Sequence, residues 1–159
     1  MRNLKSVFPR AATVLSVLAV TLTLAVAPAS AHSLDQAVRA PAGCAWLSGG
    51  YSALHSSAVT TPAGTRYGTV YLLWSNTYRQ NCVVTLKTSF HGTPTWTTST
   101  LWLQNGSRYR EQGNYGHFAS TTAAAAGVCV AYWGTISSTP GSTGGITASG
   151  GRLEYDNCS

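Results

Sequence analysis

Gly68-Thr69-Val70-Tyr71-Leu72-Leu73-Trp74-Ser75, a short polar break over Asn76 to Asn81, and then Cys82-Val83-Val84-Thr85-Leu86-Lys87-Thr88 decide the fold. Both runs are rich in β-branched and aromatic residues, which fit a pleated, half-buried surface. In the first, Val70, Leu72 and Trp74 share one face and Tyr71 and Leu73 the other, so the strand is expected to be covered on both sides. In the second, alternation predicts Cys82, Val84 and Leu86 facing in, with Val83, Thr85 and Lys87 facing out. The two strands and their short connection read as a hairpin.

Working outward, Thr98 to Gln104 reads as a strand with Leu101 and Leu103 on one face and Trp102 on the other. Asn105-Gly106 predicts a tight type I′ turn, because both residues tolerate positive φ. Ser107 to Glu111 returns, and Gly113 to Phe118 continues as a bent strand weakened by its glycines. Val128 to Ile136 and Arg152 to Tyr155 complete the set, with Ser137 to Gly151 expected as a flexible Ser/Thr/Gly/Pro loop. Trp74 and Trp133 are expected in the core. Ala123 to Ala126 is bracketed too closely to form more than a helical turn. Six to seven short strands with closely spaced turns imply an all-β domain, a small antiparallel sandwich or barrel.

The first 31 residues read differently. Arg2, Lys5 and Arg10 form a positive leader, Ala11 to Val26 is uncharged and apolar, and Ala29-Ser30-Ala31 supplies the small residues a signal peptidase needs. The apolar run falls short of the ~20 residues of a membrane span. Residues 1–31 are therefore expected to be a signal peptide cut after Ala31, with no membrane association afterwards. Residues 32–42 are expected to be a flexible arm, and residues 43–159 the disulfide-bonded β domain.

Four cysteines, Cys44, Cys82, Cys129 and Cys158, follow the leader. An even count in an exported chain implies two disulfides. Three connectivities are open to four cysteines; Cys44–Cys82 with Cys129–Cys158 is favoured because it staples each end of the chain locally. The leader holds three of the ten basic residues and none of the four acidic ones, leaving seven against four and a net charge of +3 on the remainder. Those basic residues are scattered, where nucleic-acid binding needs a cluster.

Catalytic material is sparse. Beyond Asp35 in the arm, the carboxylates are Glu111, Glu154 and Asp156. Glu111 could form a hydrolytic pair with either of the others only if the last strand lies beside it. His32, His55, His91 and His117 form neither H-x-H nor H-E-x-x-H, so spacing gives no support for a metal site, and no cofactor motif is present. His117 stands out for its Gly- and aromatic-rich surroundings. No G-x-S-x-G elbow occurs. No catalytic residue is assigned. Five Trp and eight Tyr suggest instead a stacking surface for sugar rings. Trp96, Trp102, Tyr115 and His117 are the candidate ligand-binding residues, Trp96 being the best candidate for exposure.

The Thr69-Val70-Tyr71-Leu72-Leu73-Trp74 run, the Asn81-Cys82-Val83-Val84-Thr85-Leu86-Lys87-Thr88 run, and Gly127-Val128-Cys129-Val130 followed by Trp133-Gly134 resemble the spore-associated protein A family of filamentous actinobacteria. Gly43-Cys44 and Cys158 fit the same pattern, so the resemblance spans nearly all of the chain after the leader. That family carries Asp-x-Gly-x-Tyr running into Tyr-Ala-Gly-Pro-Val. Here the stretch reads Glu111-Gln112-Gly113-Asn114-Tyr115-Gly116-His117-Phe118-Ala119-Ser120-Thr121, with Glu for Asp and Ser-Thr for Gly-Pro. The resemblance implies an exported protein found with spores or aerial filaments and no established reaction. Together these readings lead to a secreted, non-catalytic β protein associated with the spore or cell surface, its partner a spore or cell-wall polymer. The alternatives are a carbohydrate- or wall-binding module and, further off, a small secreted hydrolase.

Overall fold

A computed structural model describes residues 32–158; the expected leader, residues 1–31, lies outside the described residues. The chain folds as one short helix, α1 (Leu34–Arg39), and eight strands: β1 (Ser52–Thr60), β2 (Arg66–Ser75), β3 (Gln80–Lys87), β4 (Thr95–Leu103), β5 (Arg108–Tyr115), β6 (Phe118–Ala124), β7 (Val130–Ser137) and β8 (Thr147–Asp156). The strands form one antiparallel sheet in the order β5-β4-β7-β8-β1-β2-β3-β6. The edge strands β5 and β6 are consecutive and joined by Gly116-His117, so the sheet curls into a nearly closed barrel with a seam between them. Across that seam the Ser99 hydroxyl on β4 donates to the Ala119 carbonyl on β6 at 2.9 Å.

The β2–β3 hairpin forms as expected, with Leu73 opposite Cys82 and Val70 opposite Thr85. Both strands are covered on two sides, by different cores. Val70, Leu72 and Val83 point into the barrel with Leu101, Val130, Tyr132 and Ile136. Leu73, Cys82 and Val84 point outward, under Ala37, Val38 and Trp46. The predicted facing of β3 is thus reversed: Val83, Thr85 and Lys87 are fully buried inside the barrel. The cause is the covering helix, which supplies an apolar partner on what alternation alone would read as the solvent side.

That helix occupies the expected flexible arm, and this corrects the sequence reading of residues 32–42. Six residues are too few to be helical alone. Here a capping box joins Ser33 to Gln36, and Ala37 and Val38 are fully buried. The Cys44–Cys82 disulfide ties the following segment to β3, and Cys129–Cys158 ties the start of β7 to the end of β8.

Other differences are local. β1 was unforeseen because its Ser-, Ala- and His-rich stretch leaves most residues exposed or half-buried; the ladder with β2 and its single pairing with β8 set it. Ala123 and Ala124 belong to β6. β8 begins at Thr147, so the expected loop after β7 shortens to residues 138–146. At Asn105-Gly106 only Gly106 takes positive φ (92°), and Leu103 N–H reaches the Ser107 carbonyl. This is a three-residue hairpin loop with a glycine bulge, not a type I′ turn. Trp74 and Trp133 are half-buried, whereas Trp46 is the tryptophan sealed in the core.

Candidate functional site

Three histidines far apart in sequence meet at the end of the barrel where β3 finishes and the seam is bridged. His32 immediately precedes the α1 cap, His91 lies in the β3–β4 loop, and His117 sits in the β5–β6 turn. One nitrogen from each lies within 4.8 Å of the others. His91 Nε2 is the hub. His32 N is 3.0 Å from it, His32 Nδ1 3.4 Å and His117 Nδ1 3.1 Å. The rings of His32 and His117 lie 4.0 Å apart, and those of His91 and His117 4.5 Å.

The His32 main-chain N–H donates to His91 Nε2, and two further ring nitrogens, His32 Nδ1 and His117 Nδ1, face that same atom. In a neutral imidazole an acceptor nitrogen has a single lone pair. Nitrogen ligands about 2.0–2.1 Å from one metal ion lie roughly 2.9 Å apart when adjacent and 4.1 Å when opposite. The ring-nitrogen separations from the hub, 3.1 and 3.4 Å, fall inside that range. Burial, followed by the charges of His32, His91 and Lys87, holds His117 below its usual pKa, which favours the neutral ring. His91 Nδ1 is buried with no hydrogen-bond partner among the described residues, so the acceptor that usually orients a ligating imidazole through its other nitrogen is not supplied by these side chains.

The scaffold around this cluster is rigid for a reason that begins with Lys87. Its ammonium is completely buried at the end of β3. It donates to the Thr93 carbonyl at 2.8 Å, the Thr95 hydroxyl at 2.8 Å and the Tyr115 carbonyl at 2.7 Å. Those acceptors flank His91 on one side and His117 on the other. Burial lowers the Lys87 pKa to about 8. The Lys87 amide donates to the His117 carbonyl at 2.9 Å, and the Gly92 amide to the Gly116 carbonyl at 2.8 Å, so the two histidine-bearing turns are laced together. Phe90 and Gly92 take positive φ (55° and 82°) to bring the loop round.

Of the candidate residues the sequence singles out, His117 belongs to the cluster and Tyr115 borders it, yet Tyr115 has another role. Its hydroxyl donates to the Glu111 carboxylate in a short bond within β5. Burial and then that carboxylate push the Tyr115 pKa up to about 12. Beside His117 a groove of about 150 Å³ is lined by Ala42, Tyr115, Gly116, His117 and Phe118.

Trp96 and Trp102 are not part of this assembly. Both are half-buried on the outer face of β4, six residues apart and so about 20 Å from each other along the strand. The four candidate ligand-binding residues therefore do not form one site. The carboxylates also stay apart. β8 is three strands from β5 in the sheet order, about 14 Å by strand spacing, beyond the roughly 5–9.5 Å that paired glycosidic carboxylates need. Asp156 is held below the usual carboxylate range by the Asn157 amide and then by Arg152, whose guanidinium lies 2.7 Å away.

His32 and His91 were missed from sequence because their partners lie 59 and 26 residues away. One signal was available: His32 is the residue directly after the expected cut at Ala31. Compared with known proteins, the chain matches no family model, no curated relative and no solved structure. Among the described residues no helix is long and apolar enough to cross a membrane.

Proposed function

We propose that this chain is an exported, non-catalytic β protein that holds one transition-metal ion between His32, His91 and His117. The observation that carries the reading is His91 Nε2 with two other ring nitrogens beside it, His117 Nδ1 at 3.1 Å and His32 Nδ1 at 3.4 Å, all three ligand atoms lying within 4.8 Å of one another. Imidazole sets of this kind suit zinc, copper and nickel. The two disulfides favour an oxidising compartment, and the positive-apolar-small leader supplies the route there. The resemblance to spore-associated proteins supports a location on the spore or cell surface, where the protein would bind or sequester metal beside a wall polymer. Fractionating culture medium, spore wash and cytoplasm tests the location; a purely cytoplasmic pool refutes it.

Calorimetric titration with Zn(II) and Cu(II) tests the site. One ion per chain is expected, lost in His91→Ala and in His117→Ala. Unchanged stoichiometry in both variants, or no binding by the unsubstituted chain, refutes the reading.

A second reading is carbohydrate binding on the outer face of β4, supported by a different observation. Trp96 and Trp102 bracket Thr98 and Thr100 on one face, and Thr98 bonds Thr135 across the ladder at 2.8 Å. Retention on chitin, cellulose or peptidoglycan that is lost in Trp96→Ala and Trp102→Ala supports it; no retention refutes it.

A further inference from the structure

We infer that export itself completes this metal site: removal of residues 1–31 frees the His32 α-amine, which joins the ring of the same residue to chelate Cu(II). The inference rests on the three-histidine reading and goes beyond it by assigning a fourth nitrogen, a metal and a trigger.

The geometry begins at His32. Its main-chain nitrogen and its Nδ1 both point at His91 Nε2, at 3.0 and 3.4 Å. As an amide it donates its N–H to His91 Nε2, which holds this nitrogen beside the ring nitrogens, although α1, which begins two residues later, needs nothing from it. The helix amides are served by other groups: the Ser33 hydroxyl accepts from Gln36, and the Ser33 carbonyl accepts from Ala37.

As an amide this nitrogen is a poor ligand, because its lone pair is delocalised into the carbonyl. Hydrolysis of the Ala31–His32 bond changes that. Water adds across the bond, a carboxylate leaves on Ala31, and a primary amine remains on His32. With an ordinary α-amine pKa of about 7.7–8.0, a metal can displace its proton near neutral pH. Amine N, Cα, Cβ, Cγ and Nδ1 then close a six-membered ring with the metal. His91 Nε2 and His117 Nδ1, 3.1 Å apart, supply the remaining nitrogens. Four nitrogens including an amine favour the tetragonal geometry of Cu(II), which also heads the stability order of divalent first-row ions. Before cleavage the same residues offer imidazoles alone, so the tight site exists only on the exported form.

One feature of the sequence makes the test clean. Lys87 is the only lysine in residues 32–159, and its ammonium is fully buried and triply hydrogen-bonded. Mild acetylation of the native exported protein therefore blocks the α-amine selectively. The experiment has three parts: mass spectrometry of the first residue of the exported protein, competition titration with Cu(II) and Zn(II) before and after acetylation, and the same titrations on His91→Ala. Electron paramagnetic resonance of the Cu(II) forms reports the number of nitrogen ligands, and circular dichroism checks that each form is folded.

His32 is expected as the first residue, with Cu(II) preferred over Zn(II). Acetylation is expected to weaken Cu(II) on the order of a hundredfold and to remove one nitrogen from the spectrum. A different first residue, Zn(II) preferred over Cu(II), or equal Cu(II) affinity after acetylation overturns the inference. The last result leaves the three-histidine reading standing. Absence of metal binding in every form, His91→Ala included, overturns both.

Discussion

Titrating the native protein from about pH 7.5 to about 9.5 perturbs one buried group above all, the ammonium of Lys87. Its pKa is near 8 in the folded chain and near 10.5 once unfolded, because burial penalises the charge. Above pH 8 the native state releases this proton while the unfolded state keeps it. The unfolded state then binds more protons, so stability rises with pH. Integrating the two titrations between those limits gives a gain of about 2 kcal/mol, or roughly 1 M in the urea midpoint. The Tyr115 and His117 side chains beside it do not titrate in that window, and a free His32 α-amine would contribute equally to the control below. Tyr115 stays neutral to about 12, and His117 is already neutral, held below its usual value by burial. Urea unfolding followed by tryptophan fluorescence measures the effect, with Lys87→Met as control. The variant should lose the dependence contributed by Lys87. It should also be less stable at neutral pH by about 2–5 kcal/mol, because three acceptors lose a charged donor while the cost of burying it disappears. A midpoint that rises equally in both proteins, or in neither, refutes the reasoning.

Three further outcomes follow from the same structure. Replacing Cys44 and Cys82 by alanine removes a bridge across 38 residues and should cost about 4 kcal/mol; native-state hydrogen exchange should show Ala37 and Val38 losing protection first. A Cβ at Gly134 would lie 3.0 Å from both Thr85 Cγ2 and Val70 Cβ, so Gly134→Ala should cost about 1–3 kcal/mol through overpacking, and an unchanged melting temperature refutes the close approach. Glu111→Gln removes the carboxylate that holds the Tyr115 proton, so the Tyr115 pKa should fall from about 12 toward its ordinary value, read from the ring-carbon chemical shift.

What could be read in advance was what is local. The hairpin of β2 and β3 is written in its own alternation, and its double coverage in the apolar residues on both faces of β2. Of the three disulfide connectivities the sequence leaves open, the structure has the favoured local one, Cys44–Cys82 with Cys129–Cys158. What stayed hidden was assembled by the fold. α1 has too few residues to declare itself and exists because Ala37 and Val38 find Trp46, Leu73 and Val84. Lys87 reads as solvent-facing because no pattern in its own strand announces three oxygens from β4, β5 and the loop between β3 and β4. The histidines join across separations of 59 and 26 residues, which no ligand-spacing motif covers.

The most direct measurement of the central claim is anomalous diffraction at the copper edge from crystals of the chain beginning at His32, loaded with one equivalent of Cu(II). A single peak within bonding distance of His32 Nδ1, His91 Nε2 and His117 Nδ1 is the predicted result. A peak elsewhere on the molecule, or none in this cluster, contradicts it.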